Sequence, residues 1–292
     1  MQRWKIGDVQ ITKVFEQEAL NATRQILREA TPEAVLPIKW LKPHFMDDEG
    51  NLRSSIHALV VETPTRKILV DTCVGNDKSR PRIPHWHMLQ LPFLRELEAC
   101  GYPPSSIDTV VCTHLHIDHV GWNTMLVDDR WVPTFPNARY LMGKTEFDYW
   151  QASVSGEAPL SPMFEIQSQV MSDSVTPIID AGLVDLVEVN HQICEEVKLV
   201  PTLGHTPGHV SVWISSKGES AMITGDFAHH PCQLAHPEWS ASVDFDQAQS
   251  AETRRSVFAE LAGTPTLVIG THWSGATAGT IARDGDSYRL LT

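Results

Sequence analysis

Apolar and polar positions alternate from Lys5 to Phe15 (KIGDVQITKVF) around a Gly-Asp turn, which predicts an opening hairpin or strand pair. Ile56 to Glu62 (IHALVVE) and Lys67 to Asp71 (KILVD) are β-rich runs separated by Thr63-Pro64-Thr65-Arg66, a hairpin signal. Leucines and a phenylalanine recur at helical spacing from Leu89 to Cys100, and Gly101 supplies the stop. Thr109 to Cys112 and Ala138 to Met142 read as buried strands, with a short helix over Lys144 to Gln151. Strands then crowd together at Leu183–Val189, Val197–Pro201, Val210–Ser215 and Ser220–Thr224, which predicts a second, antiparallel-rich sheet. An amphipathic helix over Ala248 to Leu261, ended by Gly263, leads into a last core strand at Thr266 to Ile269. This order is an α/β pattern. It predicts two βα halves packed sheet to sheet with helices outside, an αββα sandwich of two mixed β-sheets, and it shows no repeat of fixed short period.

Two stretches break the periodicity. Residues 16–54 carry Pro32, Pro37 and Pro43 with Trp40 and Phe45, and read either as a lid or contact arm or as an excursion covering a sheet edge. Residues 152–175 mix Gly, Pro, Ser and Met without a period and read as a second lid or interface; such segments could support a homodimer. Residues 77–87 form a proline-broken loop in which His85 and His87 read as loop surface. The length, 292 residues, is compatible with one large α/β domain spanning 1–292. A formal net charge of −13 argues against nucleic acid or an anionic membrane as partner, since both require clustered Lys and Arg. Five cysteines, widely separated and with no Cys-x-x-Cys pair, argue against a disulfide framework or a cysteine zinc site and fit reduced thiols. Met1 to Lys5 leads straight into a polar strand-like segment with no apolar signal core, and no run has the apolar length to cross a bilayer. The expectation is a cytoplasmic protein acting on a small molecule.

Directly after Thr109–Cys112 comes Thr113-His114-Leu115-His116-Ile117-Asp118-His119-Val120-Gly121. Imidazole nitrogen and carboxylate oxygen are ligands that suit zinc, manganese or iron, and a cluster this dense is hard to explain as hydrogen-bonded bystanders. Asp71, at the end of its strand, reads as a turn cap, with support of a metal ligand as the alternative. Three later stretches repeat one signature, an apolar strand ending in a ligand-type residue beside glycine. They are Val200 to His209 (VPTLGHTPGH), Ile223-Thr224-Gly225-Asp226 and Val268-Ile269-Gly270-Thr271-His272. Strand ends on one edge of an α/β sandwich converge on a common crevice, so ligands far apart in sequence can meet there.

With these elements in hand, the chain resembles the metallo-β-lactamase fold superfamily. The His-x-His-x-Asp-His motif is intact as His114, His116, Asp118 and His119, and the likeness spans residues 113–272, with the strand pair ending at Asp71 extending it. The resemblance implies that His114, His116 and His205 bind one metal, that Asp118, His119 and His272 bind another, and that Asp226 bridges them. Seven N/O ligands exceed what one tetrahedral zinc takes and suit two ions about 3.5–4 Å apart. It also implies two divalent ions, zinc foremost with Mn, Fe or Co accepted by the same ligands. The implied activity is a hydrolase whose metal-bridging hydroxide attacks the substrate while Asp118 carries the proton toward the leaving group. His209 reads as a supporting or packing histidine.

Gly225 to Pro231 (GDFAHHP) and Thr271-His272-Trp273 resemble the branch of quorum-quenching lactonases and methyl-parathion-hydrolase-like enzymes, which implies cleavage of a small ester or lactone. Acyl-homoserine lactonases carry a tyrosine three residues after the bridging Asp. This chain has His229, read either as a donor to the substrate oxygen or as a hydrogen-bonding support. Phosphotriester, β-lactam or thioester hydrolysis on the same ligands, or a non-catalytic metal-binding relic, are the alternatives. A serine hydrolase is disfavoured because Gly-x-Ser-x-Gly is absent. Trp122, Trp150 and Trp273, with Trp40, Phe45 and Trp86, suggest an apolar pocket, the other reading being core filling.

Overall fold

The computed structural model describes residues 1–155 and 164–292, and the chain divides into two compact units. The first comprises Met1–Glu16 and His57–Val189, the second Gln17–Ile56 and Asn190–Thr292.

The first unit is built on β1 (Arg3–Ile6), most of β2 (Val9–Leu20) and of β3 (Arg53–Glu62), β4 (Lys67–Val70) and β5 (Thr109–Cys112). A hairpin of β6 (Thr124–Val127) and β7 (Arg130–Pro133) follows, then β8 (Arg139–Gly143) and β9 (Val184–Val187). The seven-stranded sheet runs β1-β2-β3-β4-β5-β8-β9. β1 pairs antiparallel with β2 and β3 with β4, whereas β5 lies between parallel neighbours β4 and β8. Every residue of β5 is buried, which explains its unbroken apolar run: a parallel strand in mid-sheet has no solvent face for polar residues to occupy. Its carboxyl end releases the loop carrying His114 to His119.

That loop is pinned from below. A Cβ at Gly121 would lie 1.8 Å from the Val74 carbonyl oxygen, so only glycine fits where the chain leaves the motif. Glu16, buried on β2, accepts hydrogen bonds from the Val74 and Gly75 amides and from the Trp122 indole at 2.8–3.1 Å. Burial raises its carboxyl to about 7 in spite of those donors. Elsewhere in the unit Arg80 makes a two-pronged pair with Asp173, and buried Lys78 donates to Thr124 Oγ1 and lies over the Trp131 ring, 3.5 Å from its centroid.

The second unit carries β10 (Val197–Pro201), β11 (Val210–Ser216), β12 (Glu219–Ile223), β13 (Leu267–Ile269), β14 (Ala278–Asp284) and β15 (Ser287–Leu291), in that order across a six-stranded sheet. Its pairings are antiparallel except β12 with β13, which the helix Gln247–Leu261 separates in sequence. Asp246 caps this helix by accepting from the Gln249 amide. The expected α/β class with two mixed sheets is therefore present. The last strand is not Thr266–Ile269, however: the chain continues into the β14–β15 hairpin, which turns at Asp284-Gly285. The β6–β7 hairpin was likewise unforeseen.

Residues 16–54, expected as a lid or arm, supply Leu27, Val35, Leu41, Phe45, Met46 and Leu52 to the core of the second unit, beside Phe227, Leu234, Phe258 and Trp273. Side chains of this size each contribute roughly 1.5–3 kcal/mol on burial. Phe45 and Trp273 thus fill core rather than line a pocket. Of residues 152–175, 156–163 lie outside the described residues; the flanks form the helices Lys144–Ser155 and Phe164–Val170, then a π-helical turn at Met171–Val175. No helix among the described residues is long and apolar enough to cross a membrane, and the cysteines are unlinked.

Candidate metal centre

In the first unit the motif residues gather at the end of β5. His114 and His119 are fully buried, while His116 and Asp118 are partly exposed. Asp71, at φ +56°, turns its carboxylate into the loop: Oδ1 accepts from the Thr113 amide at 2.8 Å, and Oδ2 accepts from the Thr113 hydroxyl and from His119 Nδ1, both at 2.9 Å. Asp71 is therefore more than the turn cap it was read as. It fixes the ring of a candidate ligand.

The same contacts assign protons. A carboxylate only accepts, so His119 carries its hydrogen on Nδ1 and offers the Nε2 lone pair, which lies 3.7 Å from Asp118 Oδ1. The Thr113 hydroxyl spends its hydrogen on Asp71, so it accepts from His114 Nδ1 at 3.1 Å, and His114 too presents an Nε2 lone pair. That nitrogen faces His116 Nδ1 at 3.1 Å. Two nitrogens each about 2.0–2.1 Å from one ion are separated by roughly 3.3 Å across a tetrahedral angle, so the pair has the spacing of two ligands on one cation.

In the second unit the candidates converge on one carboxylate. Asp226, at the end of β12, lies within 3.1 Å of His272 Nε2, 3.3 Å of His229 Nε2 and 3.7 Å of His205 Nε2. Asp244 accepts from His205 Nδ1 at 2.8 Å, and the Ser55 carbonyl lies 3.4 Å from His272 Nδ1, so both rings turn Nε2 lone pairs toward the carboxylate. Burial alone would push the Asp244 carboxyl up, but the bond from His205 and the charge of nearby Arg254 hold it below the usual aspartate range. Ligand atoms of His205, His229 and Asp244 also fall within 4.8 Å of one another.

Lone pairs aimed at a carboxylate repel it unless a cation lies among them. Protonating the rings instead would bury imidazolium charges, which is costly away from water; at the neighbouring His229, burial holds the imidazole below its ordinary range. The donor set thus fits divalent metal.

His209 is a different case. Its Nδ1 faces Thr202 at 2.9 Å, and its Nε2 accepts the Asp226 amide at 2.7 Å, so the ring positions the peptide of Asp226. Gly225 makes this approach feasible: it sits at φ +57°, and a Cβ there would lie 2.5 Å from His209 Nε2. His229 is buried, and its Nδ1 has no hydrogen-bond partner among the described residues. His85 and His87 lie exposed on their loop, as expected. Asp244, 18 residues beyond Asp226, was not anticipated; nothing in Ser242-Val243-Asp244-Phe245 distinguishes it from a loop aspartate.

The sequence profile described as "Metallo-beta-lactamase superfamily" matches residues 52–272. The N-acyl homoserine lactonase AiiA of Bacillus thuringiensis subsp. kurstaki is 24% identical over 127 residues, which take in 44% of this chain and 40% of that protein. The chain thus spans less than half the length of this curated relative. Among solved structures, AidC, a dizinc quorum-quenching lactonase in complex with a product, superposes with a TM-score of 0.80 at 19% identity, covering 99% of this chain and 96% of AidC. The hydrolase AbOPH of the β-lactamase superfamily gives 0.80 at 26% identity, with the same coverages of 99% and 96%.

Proposed function

This chain belongs to the metallo-beta-lactamase superfamily, and we propose that it is a dinuclear metal-dependent hydrolase cleaving a small ester or lactone, with residues 1–292 acting as one catalytic domain. In this reading His114, His116 and His205 would hold one divalent ion, zinc foremost, Asp118, His119 and His272 would hold a second, and Asp226 would serve both. One observation carries it: within each unit, buried hydrogen bonds on Nδ1 of His114, His119, His205 and His272 leave the Nε2 lone pair pointing at another candidate ligand.

When bound, such ions supply an activated water near neutral pH and a Lewis acid for the carbonyl oxygen. The side chains supply the rest. Asp118 is 15% exposed, in contrast to fully buried His119 beside it, and so can pass a proton between the reacting water and the leaving oxygen. His229 keeps a buried ring nitrogen without a hydrogen-bond partner among the described residues, which suits it to hydrogen-bond a substrate oxygen. Lactonase relatives support the lactone or ester class, and the acidic chain favours no polyanionic substrate.

Turnover across lactones, aryl esters, phosphotriesters, β-lactams and glutathione thioesters, with metal content measured on the same preparations, tests the proposal. Best turnover on β-lactams or thioesters would sink the ester-lactone assignment. Asp226→Ala is expected to abolish turnover and lower metal retention; near-normal activity contradicts the bridging role. Metal content below about one ion per chain after repletion removes the dinuclear reading.

A further inference from the structure

Leu115 separates the first two candidate ligands, and its backbone is held entirely by side chains from two helices. Its N–H donates to Glu146 Oε1 at 3.1 Å, and its carbonyl accepts from Gln167 Nε2 at 2.7 Å. Glu146 sits in the first turn of the helix Lys144–Ser155, and Gln167 in the helix Phe164–Val170. Leu115, Glu146 and Gln167 are each at most 1% exposed. One turn on from Glu146, Trp150 donates its indole N–H to the same Oε1 at 2.6 Å and sets its ring edge-on to His116, with centroids 5.4 Å apart.

The geometry has a specific consequence. The Leu115 amide belongs to the peptide plane joining it to His114, and the Leu115 carbonyl to the plane joining it to His116. Rotating either plane would swing one imidazole away from the other and open the 3.1 Å approach of His114 Nε2 to His116 Nδ1. Loops do not ordinarily hold such planes still, since their backbone groups find water; here both are buried and each is held by a single side chain.

We infer that Glu146 and Gln167 are positioning residues that fix the peptide planes on either side of Leu115, and through them the His114–His116 pair, with Trp150 bracing the His116 ring. This rests on the metal reading above. The helices Lys144–Ser155 and Phe164–Val170 thereby act on the centre through hydrogen bonds to its loop.

Titration of the metal-depleted protein with cobalt(II), followed by its visible absorption and by equilibrium dialysis, tests this independently of turnover. Glu146→Ala is expected to shift the visible band and weaken uptake of one of two ions about 10–100-fold. Glu146→Gln, whose amide oxygen can still accept from Leu115 and Trp150, should keep the wild-type spectrum. Gln167→Met removes the side-chain amide that donates to the Leu115 carbonyl while keeping an unbranched side chain of similar length, and should reproduce the shift; it decides the matter should Glu146→Ala fail to fold by circular dichroism. Wild-type protein that takes up no cobalt defeats the metal reading and this inference with it. Wild-type uptake with unchanged spectra and affinities in folded Glu146→Ala and Gln167→Met, or a Glu146→Gln protein as impaired as Glu146→Ala, overturns the inference alone.

Discussion

Replacing Asp71 with Asn turns an acceptor shared by His119 and the Thr113 hydroxyl into a donor. Asparagine tolerates the positive φ of this position, and its carbonyl oxygen can still accept from the Thr113 amide, so the turn survives. The NH₂ group then occupies the place of Oδ2, where it meets His119 Nδ1 at about 2.9 Å. An amide nitrogen donates only, so Nδ1 becomes the acceptor and the imidazole hydrogen moves to Nε2. A protonated Nε2 cannot ligate. Loss of such support behind a ligating histidine costs about 10–100-fold in metal affinity, or roughly 1.4–2.8 kcal/mol at 1.4 kcal/mol per tenfold. Asp71→Ala goes further: it strands a buried amide, a hydroxyl and an imidazole, each at roughly 1–3 kcal/mol, and should lower global stability as well. Cobalt titration paired with urea unfolding separates the two variants. Asp71→Asn should retain a near-wild-type unfolding midpoint while metal binding weakens at His119 and, because the Thr113 hydroxyl loses its acceptor and turns toward His114 Nδ1, at His114 as well. Two ions bound at wild-type affinity by Asp71→Asn would refute the proton assignment at His119.

Gly225→Ala places a methyl 2.5 Å from His209 Nε2 in a left-handed backbone conformation, which at about 1–2 kcal/mol for the backbone and 1–3 for overpacking should destabilise by roughly 2–5 kcal/mol in urea unfolding. A loss under 1 kcal/mol would show that His209 does not need its place against Asp226. Burial lowers the Lys78 ammonium to about 7 against the pull of Asp173, whereas in the unfolded chain a lysine titrates near its ordinary value of about 10.4. Between those values the unfolded chain binds more protons, so this contribution to stability is fully present only above the unfolded value and is lost as pH falls through about 7. The wild-type midpoint should therefore rise from pH 7 to 9 relative to Lys78→Met, which leaves Thr124 bonded to the Asp173 carbonyl and Arg80 paired with Asp173. Parallel pH curves for the two proteins would contradict the buried-ammonium account.

What the chain discloses in sequence depends on whether the cause is local. The run Val110–Cys112 announces a central parallel strand because burial on both faces leaves no polar position, and His114 to His119 announce a candidate metal site because candidate ligands in one loop are near neighbours. The groups that aim those ligands follow no such rule. Asp71 acts on His119 across 48 residues, Asp244 on His205 across 39, and Glu146 on the Leu115 amide across 31. Each needs only a carboxylate at the right place in the fold, and any sequence separation that the topology brings back will serve. Asp71 could be suspected because a strand end marks it, whereas Glu146 looks like an ordinary acidic residue in a first helical turn. Residues 16–54 misled for a related reason: their apolar side chains enter a core made by strands some 200 residues away, so no period within the segment records what they pack against. Ligand identity is thus written in short range and ligand geometry in long range. Because a histidine coordinates through only one of its two nitrogens at a time, the long-range part decides whether the motif can bind metal at all.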